Sequence, residues 1–324
     1  MLYRRLGNGP LEVSELSFGT WLTVAGGIGR EQATRCIHAA VEHGITLFDT
    51  ANQYGAGEAE RALGEALKAF PRDRYQIATK LYFPVGDEPD KGLSAAQIQK
   101  QLDRSLERLG VDTIDLYQCH RFDKETPLEE TMEALDRAVR SGKVRAIGFS
   151  EWTGEQIEAA AAIAGASGGT AFSSSQPQYS MLWRKPEGKV FPACARHGIG
   201  NLAFSPLAHG VLTGKYKPGE PPPPGSRAAS EEMNVFMETA GRHFRSDFLL
   251  RAVEQLKPMA ADLGLTMAQM ALAWVLRRPE VSSAIIGASR PEQVADNVRA
   301  VGVKLPAEAL AAIDRAVGGV AVWE

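Results

Sequence analysis

Short apolar runs alternate with longer amphipathic stretches about eight times along this chain, and that alternation limits the folds open to it more than any other feature. The runs expected to be strands are 16–18, 45–49, 75–80, 114–120, 144–150, 171–176, 199–204 and 283–286, each short enough for a buried parallel strand. Helical spacing of apolar residues is expected over 30–42, 58–68, 94–108, 128–140, 153–164 and 188–196. Ser94 with Gln97 three residues on has the form of a capping box. Gly44, Gly110, Gly142 and Gly198 each fall between a helix and the next strand, where a left-handed residue turns the chain back. One repeated unit is therefore expected. Eight βα units in 324 residues suit a closed α/β barrel with an outer ring of helices, the (β/α)₈ TIM barrel, better than an open doubly wound sheet.

The first residues, LYRRLG turning through Asn8 and Gly9 into LEVSELSFG, read as a β-hairpin capping the barrel's bottom. The connection after strand 7, residues 207–245, contains KPGEPPPPGSR, too rich in Pro and Gly for regular structure, and long loops of this kind are usually functional. Helices are expected again over 247–263, 266–277 and 306–317, and no change of composition breaks residues 1–324 into more than one domain. With 44% hydrophobic and 23% charged residues the chain can bury a sizeable core. Its formal net charge of -3 supplies no global positive field for nucleic acid or an anionic membrane. Cys36, Cys119 and Cys194 are odd in number and widely spaced, so neither a disulfide framework nor a metal site is expected. The start lacks a signal peptide's apolar region, and no run approaches the roughly 18 apolar residues of a membrane span. A cytoplasmic protein is the expectation.

On this placement Asp49, Lys80 and His120 each end a different strand, and Tyr54 lies five residues beyond Asp49. Active sites of such barrels are built from strand ends and βα loops at the C-terminal face, so the four would share one mouth. A Lys beside a Tyr lowers the phenol's pKa from about 10, so Tyr54 is expected to exchange a proton near neutral pH. Asp49 would hold Lys80 charged, and His120 could hydrogen-bond a substrate oxygen. That is an acid for a developing alkoxide, and it requires a hydride donor. His209 is left open; the other histidines are assigned no role.

FDTANQYG around Asp49 and Tyr54, ATK at Lys80 and DLYQCH at His120 resemble the aldo-keto reductases, over nearly the whole chain. GTWLTVAGG, SLERLGVDTIDL, SPLAHGVLTGKY and GASRPEQVADN look most like the branch containing the potassium-channel beta subunits and their bacterial relatives. The resemblance implies NADPH as cofactor and a small-molecule carbonyl as substrate. Tyr54 would be the proton donor, Lys80 and Asp49 its tuning pair, and His120 the group orienting the carbonyl. Ser150 and Gln176 match residues that hold the nicotinamide carboxamide, and Phe204 the aromatic stacking on its ring. Glu151 stands where Asn is common. Ser205, Leu207, Gly210 and Lys215 match the pyrophosphate loop, and Arg227 a basic clamp. Gly287, Ser289, Gln293 and Asn297 match the region meeting the 2′-phosphate and adenine, with Gln293 where many members have Arg. Trp21, Tyr82 and Trp152 are expected around the substrate. Related branches include tetramers and larger rings, so a homo-oligomer is open.

Two other readings compete. A Rossmann dehydrogenase needs G-x-G-x-x-G, and Gly27-Ile28-Gly29 has Gln32 where the third Gly belongs. A cofactor-binding regulatory protein with little turnover is the alternative suggested by the channel subunits, which carry Asn where this chain has His120.

Overall fold

The computed structural model describes residues 1–24, 28–86, 90–230 and 246–323. Two antiparallel strands, β1 (Tyr3–Arg5) and β2 (Glu12–Ser14), precede eight parallel ones: β3 (Leu16–Gly19), β4 (Leu47–Asp49), β5 (Gln76–Leu81), β6 (Ile114–Cys119), β7 (Val144–Ser150), β8 (Ser174–Gln176), β9 (Gly200–Ala203) and β10 (Val281–Ile286). The eight close into a barrel in the order β10-β3-β4-β5-β6-β7-β8-β9, with the helices outside. This is the expected (β/α)₈ barrel with its N-terminal hairpin.

Alternate residues of a strand point to opposite faces, and here that period of two sorts the core into two clusters. Outward residues such as Phe18, Phe48, Ile77, Tyr117, Ile147 and Phe149 pack with the helices. Inward residues Leu47, Ala78, Leu116, Ala146, Leu202 and Ile285 fill the lumen floor together with Leu6, Leu11 and Val13 of the hairpin. The hairpin thus plugs the barrel's bottom, leaving the upper lumen to polar residues. Above the floor Ser174 Oγ donates to Gln118 Oε1 at 3.3 Å. A Cβ on Gly148 would come within 2.0 Å of Ser174 Oγ, so this layer admits no larger residue there.

Helix ends follow the sequence closely. Gly44, Gly110, Gly142 and Gly198 all take positive φ. After three of these helices the next residue is held by the helix: Ile45, Val111 and Ile199 donate to Ala40, Leu106 and Cys194 carbonyls at 2.9, 3.2 and 2.9 Å. Residues 45 and 199, expected in strands, belong to those caps, and β4 and β9 begin later. Thr153–Gln156 and Thr266–Gln269 form capping boxes, whereas Ser94 accepts from Gln97 N and the Gln97 side chain does not return the bond. The helix expected over 247–263 is two, Asp247–Glu254 and Leu256–Asp262, because Pro258 has no N–H to carry the ladder back to Glu254. A helix missed by periodicity, Pro291–Val298, starts with proline at its first position. Within the long connection, Ala208–Thr213 and Arg227–Ala229 are short 3₁₀ turns, and 231–245 lie outside the described residues. No described single helix is long and apolar enough to cross a membrane.

Candidate active site

The strand-borne residues of the site stand two or four positions above the lumen floor, where strand parity again turns side chains inward. Leu47 is followed by Asp49, Ala78 by Lys80, and Leu202 by Phe204; on β6 and β7 the step from Leu116 and Ala146 passes through Gln118 and Gly148 to His120 and Ser150. These ends open into one cavity of about 1020 Å³. Asp49, Tyr54, His120 and every residue matched above to a cofactor site line it: Ser150, Gln176, Phe204, Ser205, Leu207, Gly210, Lys215, Arg227, Gly287, Ser289, Gln293 and Asn297.

Lys80 lies beneath the lining with its side chain 0% exposed. Its ammonium donates to Asp49 Oδ2 at 2.6 Å, to the Thr50 carbonyl at 2.8 Å and, over a longer 3.4 Å, to Tyr54 Oη. All three of its protons therefore have acceptors. The second Asp49 oxygen accepts from Gln176 Nε2 at 2.8 Å, and Ser150 Oγ donates to the Gln176 carbonyl at 2.8 Å. Gln176, matched only to a cofactor contact from the sequence, thus also fixes the carboxylate that fixes Lys80. Although burial opposes its charge, Asp49 and Tyr54 hold the Lys80 ammonium above its ordinary value.

The expectation for Tyr54 needs correcting. Burial is the largest influence on its phenol and outweighs the lowering by Lys80, so its pKa lies above the ordinary value instead of near neutrality. Tyr54 is therefore a held proton at neutral pH. Because Lys80 donates to its oxygen, the Tyr54 hydrogen must be directed elsewhere. The imidazole of His120 stands 5.8 Å away, centroid to centroid, nearly perpendicular to it. Burial first, then Lys80 and Arg121, push the His120 pKa well below its ordinary value, so the ring is neutral. A neutral imidazole offers one donor and one acceptor.

Two of the three expected substrate-pocket residues do not line the cavity. Trp21 does, 6.4 Å from the Tyr54 ring. Trp152 is 2% exposed, stacked on Phe149 and edge-on to Phe122 and Phe172, a core residue between barrel and helices. Tyr82 follows β5 with φ 147, and it is the next residue, Phe83, that lines the cavity. Arg121 and His209 line it as well: Arg121 directly follows DLYQCH and has no expected role, and His209, whose role the sequence leaves open, lies within SPLAHGVLTGKY. His209 Nδ1 is bonded to Arg227 Nη1, and burial with that cation brings its pKa to about 3. Arg227 lies 5.0 Å over the Trp21 ring, and burial lowers it to about 10.

Backbone strain gathers at the same mouth. The described non-glycine residues with positive φ are Ala56, Tyr82, Glu151, Ser205, Ala208 and His209, and all follow the C-terminal end of a barrel strand. Each such conformation costs on the order of 1–3 kcal/mol and persists where the surroundings enforce it, as at ligand sites. Cys36, Cys119 and Cys194 are buried and form no disulfide, and burial raises each thiol's pKa, which disqualifies them as nucleophiles.

A parallel barrel with a buried Asp-Lys-Tyr chain and a neutral His at its mouth defines a class of redox protein, and the chain matches the Aldo/keto reductase family over residues 15–317. It belongs to that family. It is 39% identical over 306 residues to a protein of Arabidopsis thaliana described as "Probable voltage-gated potassium channel subunit beta", covering 94% of this chain and 92% of that one. A protein of Oryza sativa subsp. japonica with the same description is 37% identical over 306 residues, with the same shares covered.

Proposed function

We propose that this protein is an NADPH-dependent reductase of aldehyde or ketone carbonyls, acting on a small molecule within one domain spanning 1–324, in a reducing cytosol. The observation that carries the reading is the bonded chain Gln176–Asp49–Lys80–Tyr54 beside a neutral His120 in one cavity.

The cavity suits a dinucleotide phosphate. Lys215, Arg227 and Arg290 supply cations along it, and Gly210 at φ 92 brings the backbone so near Lys215 that a Cβ would lie 3.0 Å from its Nζ. Ser226 Oγ is buried in the lining with no partner among the described residues. Ser150 and Gln176 would hold the nicotinamide amide, Phe204 its ring, and the loop from Ser205 to Lys215 with Arg227 the pyrophosphate. Gly287, Ser289, Gln293 and Asn297 would hold the adenosine end. Bound there, NADPH supplies a hydride to the carbonyl carbon. His120 would hydrogen-bond the carbonyl oxygen, and Tyr54 would give its proton to that oxygen as negative charge develops. Lys80 stabilises the phenolate left behind, and Asp49 with Gln176 keeps Lys80 charged and aimed.

Tyr54→Phe removes the donated proton and nothing else of size. The expected result is a loss of turnover of about 10²–10⁴-fold with NADPH affinity retained in a fluorescence titration. Wild-type turnover in that variant refutes the assignment, and NADH binding as tightly as NADPH refutes the cofactor preference. The relatives' descriptions favour a second reading, a cofactor-binding subunit of a larger assembly. Absence of turnover across a broad aldehyde panel in the wild-type protein favours that one.

A further inference from the structure

Arg121 follows His120 directly and lines the cavity at the end where Tyr54 stands. Ring contacts tie that end together: His120 lies 5.2 Å from Phe83, and the Arg121 guanidinium carbon lies 5.7 Å from the Phe83 centroid. Arg121 Nη1 donates to the His120 carbonyl at 2.6 Å, which anchors the guanidinium to the end of β6. Among the described residues it has no ion pair and no other hydrogen bond. The acid that feels its charge, Glu151, is engaged by Gln178 N at 2.7 Å.

The other cations near this end have partners. Lys80 is bound to Asp49, and Arg227 to His209 and the Trp21 face. Proton transfer from Tyr54 does not need a further cation, since Lys80 already stabilises the phenolate. We infer that Arg121 is a substrate-recognition residue that binds a carboxylate, so that the preferred substrates are carbonyl compounds carrying a carboxylate group. This rests on the carbonyl-reductase reading. A guanidinium with no ion-pair partner among the described residues can take one, and its planar fork fits the two coplanar oxygens of a carboxylate. The aromatic walls Trp21 and Phe83 would flank an apolar spacer between the two substrate groups.

The test compares 4-carboxybenzaldehyde with its methyl ester, which has the same reacting carbonyl without the charge. Arg121 also influences Tyr54 and His120 electrostatically, so the ratio of the two kcat/KM values is the proper readout, because such effects act on both substrates. The ratio in the wild-type protein is expected to favour the acid at least tenfold, to fall at least tenfold in Arg121→Met, and to recover in part in Arg121→Lys. Calorimetric titration with benzoate, with and without NADP⁺, should show binding by the wild-type protein that Arg121→Met loses. A wild-type ratio near one, or a ratio that Arg121→Met leaves unchanged, overturns the inference while leaving the reductase reading intact. If neither aldehyde is reduced yet benzoate binds through Arg121, the carboxylate site stands and the reductase reading fails. If neither aldehyde reacts and benzoate does not bind, both fail.

Discussion

Replacing Lys80 by Met tests the buried charge pair on which the site rests. The Lys80 side chain is 0% exposed and that of Asp49 6%, and they meet at 2.6 Å. Removing one member of such a pair leaves the other charge uncompensated in a medium that solvates it poorly, which costs about 3–5 kcal/mol. Met fills nearly the same volume, so packing adds little, and the Gln176 bond to Asp49 remains but supplies a dipole where a charge stood. Asp49→Asn should cost a similar amount by stranding the ammonium. Removing both charges together strands neither, so Asp49→Asn/Lys80→Met should cost well under the sum of the single losses, with a coupling of at least about 2 kcal/mol. Urea denaturation followed by circular dichroism at neutral pH measures all four corners of the cycle. A cost below about 1 kcal/mol for Lys80→Met, or strict additivity, would refute the description of the pair as mutually dependent.

Three further outcomes are expected. Since the Tyr54 pKa is raised and that of His120 lowered, kcat/KM for carbonyl reduction should stay flat across neutral pH and fall only on an alkaline limb beyond the ordinary phenol value of about 10, while alcohol oxidation rises with pH; a reduction profile turning over near pH 7 contradicts this. His209 has a folded pKa of about 3 against about 6.5 unfolded, so the unfolded chain alone takes up its proton as pH falls through 6.5, and stability is lost from there down to about pH 3. By pH 5 that amounts to about 2 kcal/mol, and His209→Asn should shrink the pH 7 to pH 5 difference in unfolding free energy from urea denaturation by that amount; an unchanged difference is the contrary result. Trp152→Ala should destabilise by about 3–5 kcal/mol and leave relative rates among aldehydes unaltered, whereas a tenfold change in aldehyde preference at near-normal stability would return Trp152 to the substrate pocket.

The barrel was legible because its signals are local. Apolar runs of strand length, helices at their own period, and glycines at 44, 110, 142 and 198 all act within a few residues, and each adopts in the fold the conformation its surroundings in sequence require. The inward facing of Asp49, Lys80 and His120 was likewise implicit, since a closed parallel barrel allows a strand end only two faces. Tertiary structure decided what depends on distance and dielectric. Trp152 and Tyr82 looked like pocket residues by their place after strands, but the turn at Tyr82 and the packing of Phe122, Phe149 and Phe172 gave the lining to Phe83. Likewise the sequence pairs a Lys with a Tyr and so suggests an acidic phenol, whereas the depth at which Tyr54 is buried reverses the sign. Adjacency in sequence names the groups that can interact; only the closed lumen, by excluding water, determines how strongly and in which direction.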